Sequence, residues 1–424
     1  VATPDQSCYV YIQLPGTFDW VPCARLRVRD VGAGTFEGTF TYGRHYLQRA
    51  NVVALDPFHL PLTERPQAFT KLKGIPGAIR DASPDAWGRR VIQAKLQRPE
   101  GDIAEMEYLL NGPDDGAGNL RFGVTVKPPP GKRGFNRIHQ LQALIEAAQV
   151  LEEDGRLPHE ILEDLEPGTS MGGARPKVTV EDGHRIWLAK LPEKGDRHNM
   201  QRIEFATLEL AREAGLNVCG TRLERVGNVD VLMLERFDRH WVQDANAYAR
   251  YGLVSSLTVI DAEDGYFGRE RWSYLLLADE LRRWSSKSDE DRRELFRRMV
   301  FNAMVTNTDD HPRNHALLND GNGWRLSPAY DIVPMALVSQ ERRDLALNVG
   351  SHGRAASLYN LLSRSDVFGM PQNDARASVD AMLAVVRKWR ERFAGQGIDE
   401  RTLAMLDGAM LPISFHLTEP PEPV

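Results

Sequence analysis

The sequence predicts an α+β chain, with a mixed, β-rich N-terminal part and an α-helical C-terminal lobe. Two observations predict it. Residues 8–60 break into short alternating apolar runs punctuated by Gly and Pro, the pattern of strands and turns. From residue 272 onward apolar residues recur at helical spacing instead. At 424 residues the chain is long enough for two or three domains with sizeable cores.

Taken in order, strands are expected at 9–12, 24–28, 35–42 and 52–55. A helix over 85–96 follows Ser83-Pro84, and another spans 104–110. Residues 111–134 are rich in Gly, Pro and Asp and contain Pro128-Pro129-Pro130, so a boundary is expected there. A helix is then expected over 137–153, with Ile138, Leu141, Leu144, Ile145 and Ala148 on one face. Two hairpins follow, one about Asp182-Gly183 and one about Gly227-Asn228. Between them a helix over 201–214 is ended by Gly215. Further helices are expected over 272–284, 291–306, 374–395 and 400–410. These readings divide the chain into 1–134, 135–240 and 241–424.

Composition excludes several classes. The net charge of −6 argues against a broad nucleic-acid-binding surface. Three widely spaced cysteines give neither a zinc pattern nor a disulfide framework, and fit a reducing cytosol. No run of about 18 apolar residues is present, so no membrane span is expected, and no signal peptide is visible. The chain begins at Val1, so its start is expected to be processed or trimmed.

The richest stretch is 307–331, NTDDHPRNHALLNDGNGWRLSPAYD. Asp309 stands five residues before Asn314, and Asp331 follows after a short apolar strand. Phosphoryl transfer needs such a set. One carboxylate accepts the proton of the attacking hydroxyl, while an amide oxygen and a second carboxylate hold magnesium. The same residues also suit a polar loop after a helix. His311 and His315 have zinc-helix spacing, but Pro312 between them disfavours a regular helix.

Upstream, GTSMGGARPK (168–177) is a small-residue loop ending in a cation; it reads as a hairpin lead-in or a phosphate loop. Lys190 ends a strand in line with Ile186 and Leu188, so it either meets an anion or snorkels to solvent. Glu204 shares a helix stripe with Leu208 and Ala211 and can point inward. The order is glycine loop, strand with Lys, helix with Glu, two strands, connector. That is the order of a protein-kinase N-lobe, and it implies a bilobal fold. The kinase words HRD and DFG are absent, with Tyr330-Asp331-Ile332 standing where DFG would be.

Several motifs together resemble the HipA family of bacterial serine/threonine kinases, the toxins of type II toxin–antitoxin pairs. GAIRDASPDAWGRRV resembles part of the family's first subdomain, SMGGARPK its phosphate loop and WLAKLP its nucleotide-lysine segment. ERFDR, NTDDHPRNHALL and LSPAYDI resemble its connector, catalytic and metal segments. The resemblance implies ATP and Mg2+ as cofactors. It implies that Ser170, Met171, Gly172, Gly173, Ala174 and Lys177 line the phosphate loop, with Ser170 autophosphorylated. It likewise implies that Lys190, Glu235, Phe237 and His311 meet the nucleotide, that Asp309 is the catalytic base, and that Asn314 and Asp331 bind magnesium. The loop reads Ala-Arg-Pro-Lys where the family commonly has Ala-Gln-x-Lys.

The resemblance further implies a cytoplasmic protein substrate, with aminoacyl-tRNA synthetases one class. It also implies a small helix-turn-helix antitoxin (HipB-like), through which DNA contact would be indirect. The alternatives are a small-molecule phosphotransferase and a non-catalytic corepressor that binds an antitoxin.

Overall fold

The computed structural model describes residues 6–32, 34–131, 134–165, 173–336 and 343–420. In chain order the strands are β1 Gln6–Gln13, β2 Trp20–Gly32, β3 Thr35–Tyr42, β4 Gln67–Phe69, β5 Leu120–Gly123, β6 Asn136–Arg137, β7 Lys177–Asp182, β8 Arg185–Lys190, β9 Thr221–Val226, β10 Val229–Glu235, β11 Arg239–Val242, β12 Ala247–Arg250, β13 Gly252–Ser255, β14 Ala316–Asn319 and β15 Trp324–Leu326. The α-helices are α1 Arg44–Leu47, α2 Gly77–Asp81, α3 Ala86–Leu96, α4 Glu105–Asn111, α5 Leu141–Asp154, α6 His159–Leu165, α7 Met200–Glu213, α8 Ser256–Val259, α9 Tyr274–Trp284, α10 Ser288–Met304, α11 Leu358–Ser363, α12 Gln372–Val386, α13 Trp389–Gly395 and α14 Glu400–Leu406. Two compact units result. The first is Val1–Lys194, Glu235–Thr258 and Leu318–Asn322; the second is Gly195–Leu234, Val259–Leu317 and Gly323–Val424.

The first unit is built on an antiparallel sheet of order β4-β3-β2-β1-β5. Strand β2 shows why: Leu26 and Val28 are buried while Arg27 and Arg29 are exposed, so alternation fixes which face meets the core. Strand β5 lies inside the Gly/Pro-rich stretch where a boundary was expected. Its Gly123 is required, because a Cβ there would meet the Tyr11 hydroxyl at 2.7 Å.

The strand expected over 52–55 is absent. Tyrosine hydroxyls take the place of a ladder there: Tyr46 donates to the Val53 carbonyl at 2.6 Å, and Tyr42 accepts from the Leu55 N–H at 3.0 Å. Helix α3 begins with Asp85 as its N-cap, accepting from the Gly88 N–H at 2.9 Å. Helix α5 starts at Leu141 rather than 137, because Asn136 and Arg137 pair with β7 and a 3-10 turn follows. Strands β7 and β8 form the expected hairpin, with Gly183 at φ +60° in its turn.

In the second unit, α7 is N-capped by Asn199, which accepts from the Arg202 N–H. Gly215 at φ +90° ends the helix as expected. Arg202 donates to the Gln396 carbonyl at 2.6 Å, and Arg392 of α13 pairs with Glu213 at 2.8 Å, so α7 is tied to the C-terminal helices. Helix α10 buries Leu295, Phe296, Met299, Val300, Ala303 and Met304, the stripe read from the sequence, and Phe301 besides. The helix expected over 374–395 divides into α12 and α13, with Trp389 and Phe393 buried just past the break.

Candidate active site

The second unit holds the acid–amide set. Helix α10 stops at Met304, and Thr306 then takes φ +53°, which turns the chain out of the helix. Asn307 is fixed back onto the helix end: its N–H donates to the Asn302 carbonyl at 2.9 Å and its side-chain amide to Asn302 Oδ1 at 3.1 Å. Asp309 follows, exposed to solvent. Its carbonyl accepts from the His311 N–H at 2.7 Å, and the His311 carbonyl accepts from the Asn314 N–H at 2.9 Å. Pro312 opens a single 3-10 turn over Pro312–Asn314, so His311 and His315 do not share a helix face.

Asn314 is buried, and its side-chain N–H donates to the Asp309 carbonyl at 3.2 Å. Its Oδ1 is buried without a hydrogen-bond partner. An orphaned amide oxygen of this kind suits a hard cation, which takes oxygen ligands. Asp331 lies at the end of a segment held on two sides. Ala329 pairs in parallel with Val218, through Ala329 N–H to Asn217 O at 2.7 Å and Cys219 N–H to Ala329 O at 3.1 Å. The Tyr330 hydroxyl donates to the Arg313 carbonyl at 2.7 Å, tying the residue before Asp331 to the residue before Asn314. Asp331 itself adopts φ +58°, a left-handed conformation that Asp tolerates better than most residues.

Beneath this turn lies a buried polar cluster that the sequence reading missed. Asp310 accepts from the Tyr274 hydroxyl and lies 2.9 Å from His315 Nε2. Asn302 donates to the Tyr274 hydroxyl at 3.3 Å. Burial, with Asp310 beside it, holds the Tyr274 phenol well above its ordinary range. The signal was present in the sequence: Asp310 and His315 repeat the five-residue spacing of Asp309 and Asn314, one position on. Adjacent acids thus divide their tasks, Asp309 outward and Asp310 into the core.

The first unit holds the basic residues. Lys177 and Lys190 face each other across the β7–β8 ladder. Lys177 is buried, and Nζ lies 2.7 Å from Asp85 Oδ2 and 3.0 Å from the Gly173 carbonyl. Its charge is therefore matched, which relieves the repulsion expected of like charges directly opposite in a sheet. Lys190 is half-buried at the strand end. Gly173 and Ala174 are exposed, whereas Ser170, Met171 and Gly172 lie outside the described residues. Glu235 and Phe237 are half-buried, and Arg185 stands 3.7 Å from Glu235.

Arg236, which lies between those two connector residues, joins a buried ionic network with Asp115, Asp238 and Arg239. Arg236 donates to Asp115 Oδ2 at 2.6 Å and to both carboxylate oxygens of Asp238 at 3.0 and 2.8 Å. Arg239 donates to Asp238 at 2.8 Å and to the Gly116 carbonyl at 2.6 Å. The two guanidinium groups overcome the effect of burial and hold the Asp238 carboxyl far below its usual range. The connector is thus clamped to residues 115–118, a role that spacing alone did not indicate.

The HipA-like C-terminal domain matches residues 169–389, just over half of the chain, a span that includes Lys177, Lys190, Asp309, Asn314 and Asp331. The chain belongs to the HipA family. A curated HipA relative, the serine/threonine-protein kinase toxin HipA of Shewanella oneidensis, is 24% identical over 257 residues. That alignment covers 54% of this chain and 58% of the relative, little more than half of each. The HipA fold extends further than the sequence match. The solved complex of the Shewanella oneidensis MR-1 toxin–antitoxin proteins HipA and HipB with operator DNA aligns over 94% of this chain and 94% of the matched chain. The TM-score is 0.66 at 18% identity, which establishes the α+β HipA fold. Among the described residues, no helix is long and apolar enough to cross a membrane.

Proposed function

We propose that this chain is an ATP- and magnesium-dependent serine/threonine protein kinase of the HipA type. The observation that carries the reading is the state of the Asn314 side chain: its amide nitrogen donates to the Asp309 carbonyl, and its buried Oδ1 has no partner. Asn314 and Asp331 would hold magnesium, which when bound neutralises charge on the nucleotide phosphates. Asp309, exposed at a turn fixed by backbone hydrogen bonds, accepts the proton of the substrate hydroxyl. Lys190 contacts phosphate oxygens as a cation at a strand end, and His311, Glu235 and Phe237 contact the nucleotide. Ser170 is the autophosphorylation site.

The substrate is a cytoplasmic protein, with an aminoacyl-tRNA synthetase the first class to examine. A HipB-like helix-turn-helix antitoxin is the partner, and DNA is met through it. Support for the partner comes from the fold shared with a HipA solved together with HipB and operator DNA.

The test is direct. The chain and its Asp309→Ala variant are incubated with Mg-ATP and followed by intact mass and peptide mapping. The expected result is one phosphate on Ser170 in the parent and none in the variant. No transfer by either protein overturns the kinase reading and favours a corepressor. Phosphoproteomics of cells expressing the two forms then names the substrate.

A further inference from the structure

Lys177 ends the glycine loop, yet its ammonium is neither exposed nor unoccupied. The side chain is 2% exposed, and Nζ donates to Asp85 Oδ2 and to the Gly173 carbonyl. Asp85 is fixed from its other side, since Oδ1 caps α3 by accepting from the Gly88 N–H. A lone ammonium at this depth would be very costly, and the Asp85 carboxylate at 2.7 Å offsets that cost. Burial pushes the Asp85 carboxyl up, and Lys177 opposes that push.

The consequence lies in the backbone. A trans peptide is planar, so its C=O and N–H point in opposite directions. Holding the Gly173 carbonyl on Nζ therefore aims the Ala174 N–H away from the buried lysine, at a stretch where both residues are exposed. Gly173 adopts φ +105°, and a Cβ there would come within 3.1 Å of Nζ. The glycine is thus needed both for its conformation and for the lysine's approach.

We infer that Asp85 and Lys177 are positioning residues: Asp85 holds Lys177, Lys177 holds the Gly173 carbonyl, and the Ala174 N–H is thereby presented to a nucleotide phosphate. This rests on the kinase reading. Lys177 acts through the loop backbone and does not touch phosphate. The SPDAW segment, far from the chemistry in sequence, thus sets the orientation of the Gly173–Ala174 peptide.

The full chain is titrated with Mg-ATP and assayed beside Asp85→Asn, which keeps an oxygen for the cap and removes the charge facing Lys177. Both the Kd for Mg-ATP and the KM for ATP are expected to rise roughly ten- to a hundredfold, with kcat unchanged, as for loss of a hydrogen bond to a charged group. Lys177→Gln should do the same, the double variant should be no worse than either single one, and Lys177→Arg should recover part of the affinity. If Asp85→Asn does not fold, Gly173→Ala serves instead, because its methyl crowds Nζ and should raise KM likewise. A parent that binds Mg-ATP beside an Asp85→Asn variant that binds it equally well overturns the inference alone. So does a fall in kcat at constant KM, which marks a smaller folded fraction, or additive losses in the double variant. A parent that binds no Mg-ATP overturns the kinase reading and this inference with it.

Discussion

The side-chain amide of Asn314 donates to the backbone carbonyl of Asp309 at 3.2 Å. This bond links the residue proposed to bind metal to the residue proposed to accept the proton, and it leaves the Asp309 carboxylate unused. It also decides which way the amide faces, because an N–H turned to a carbonyl leaves the oxygen on the other side.

Asp309→Ala is expected to abolish phosphoryl transfer while leaving Mg-ATP affinity and thermal stability close to the parent's. The side chain is exposed, and the turn's own bonds use backbone atoms of residue 309, which Ala retains. Transfer assays alongside thermal melts check this; full activity in the variant would count against Asp309 as the base.

Asp331→Asn should weaken magnesium-dependent nucleotide binding with little loss of stability. Asn tolerates the +58° backbone that Asp331 adopts, whereas Ala there adds roughly 1–2 kcal/mol of strain and confuses the result. Calorimetric titration with and without magnesium is the measurement. Unchanged Mg-ATP affinity would remove Asp331 from the metal site.

Asp310→Ala should damage folding as well as activity. It strips the Tyr274 hydroxyl and His315 of their shared buried acceptor. Leaving buried polar groups unpaired in this way costs about 3–5 kcal/mol. Denaturant unfolding should therefore separate the adjacent variants: a lower midpoint for Asp310→Ala and a near-parental one for Asp309→Ala. Equal midpoints would refute the division of roles.

Glu105 gives a pH dependence. Burial raises its carboxyl, but Arg89, Arg80 and Lys73 outweigh that and bring it from 4.5 down to about 2. A carboxyl lowered by folding stabilises the fold above its unfolded value, and the contribution is lost as pH falls through the folded value. Between pH 4.5 and 2, the parent should thus lose up to about 3 kcal/mol more than Glu105→Gln, whose side chain does not titrate there. Acid unfolding curves for the two proteins provide the comparison, and parallel curves would show that the three cations do not stabilise the carboxylate.

Lys190→Ala should raise the KM for ATP, since under the kinase reading its ammonium faces phosphate oxygens. Lys190 is half-buried at a strand end, so its loss should hardly move the melting temperature. Activity kinetics with parental KM would return Lys190 to the role of a snorkelling side chain.

Local pattern made much of the fold legible. Alternation placed β2 and β3, the α10 stripe was read residue by residue, and Gly183, Gly215 and Gly227 marked turns by their backbone needs. The miss at 52–55 has a physical cause: its apolar run looks like a strand, but hydroxyls of Tyr42 and Tyr46, up to 13 residues away in sequence, satisfy the backbone. The helices expected over 137–153 and 374–395 differ at an end or an internal break, where propensity is weakest against tertiary contacts.

By itself the sequence determined the α+β class, the order of its motifs and the Asp309, Asn314 and Asp331 spacing, because these follow from short-range periodicity and residue chemistry. Tertiary structure alone decided what each charge faces. Asp85 meets Lys177 across 92 residues, Asp115 meets Arg236 across 121, and Asp310 turns inward to Tyr274 while Asp309 stays in solvent. A charge is costly in the core unless paired, and its partner is chosen by the packing of distant segments, which no local pattern encodes.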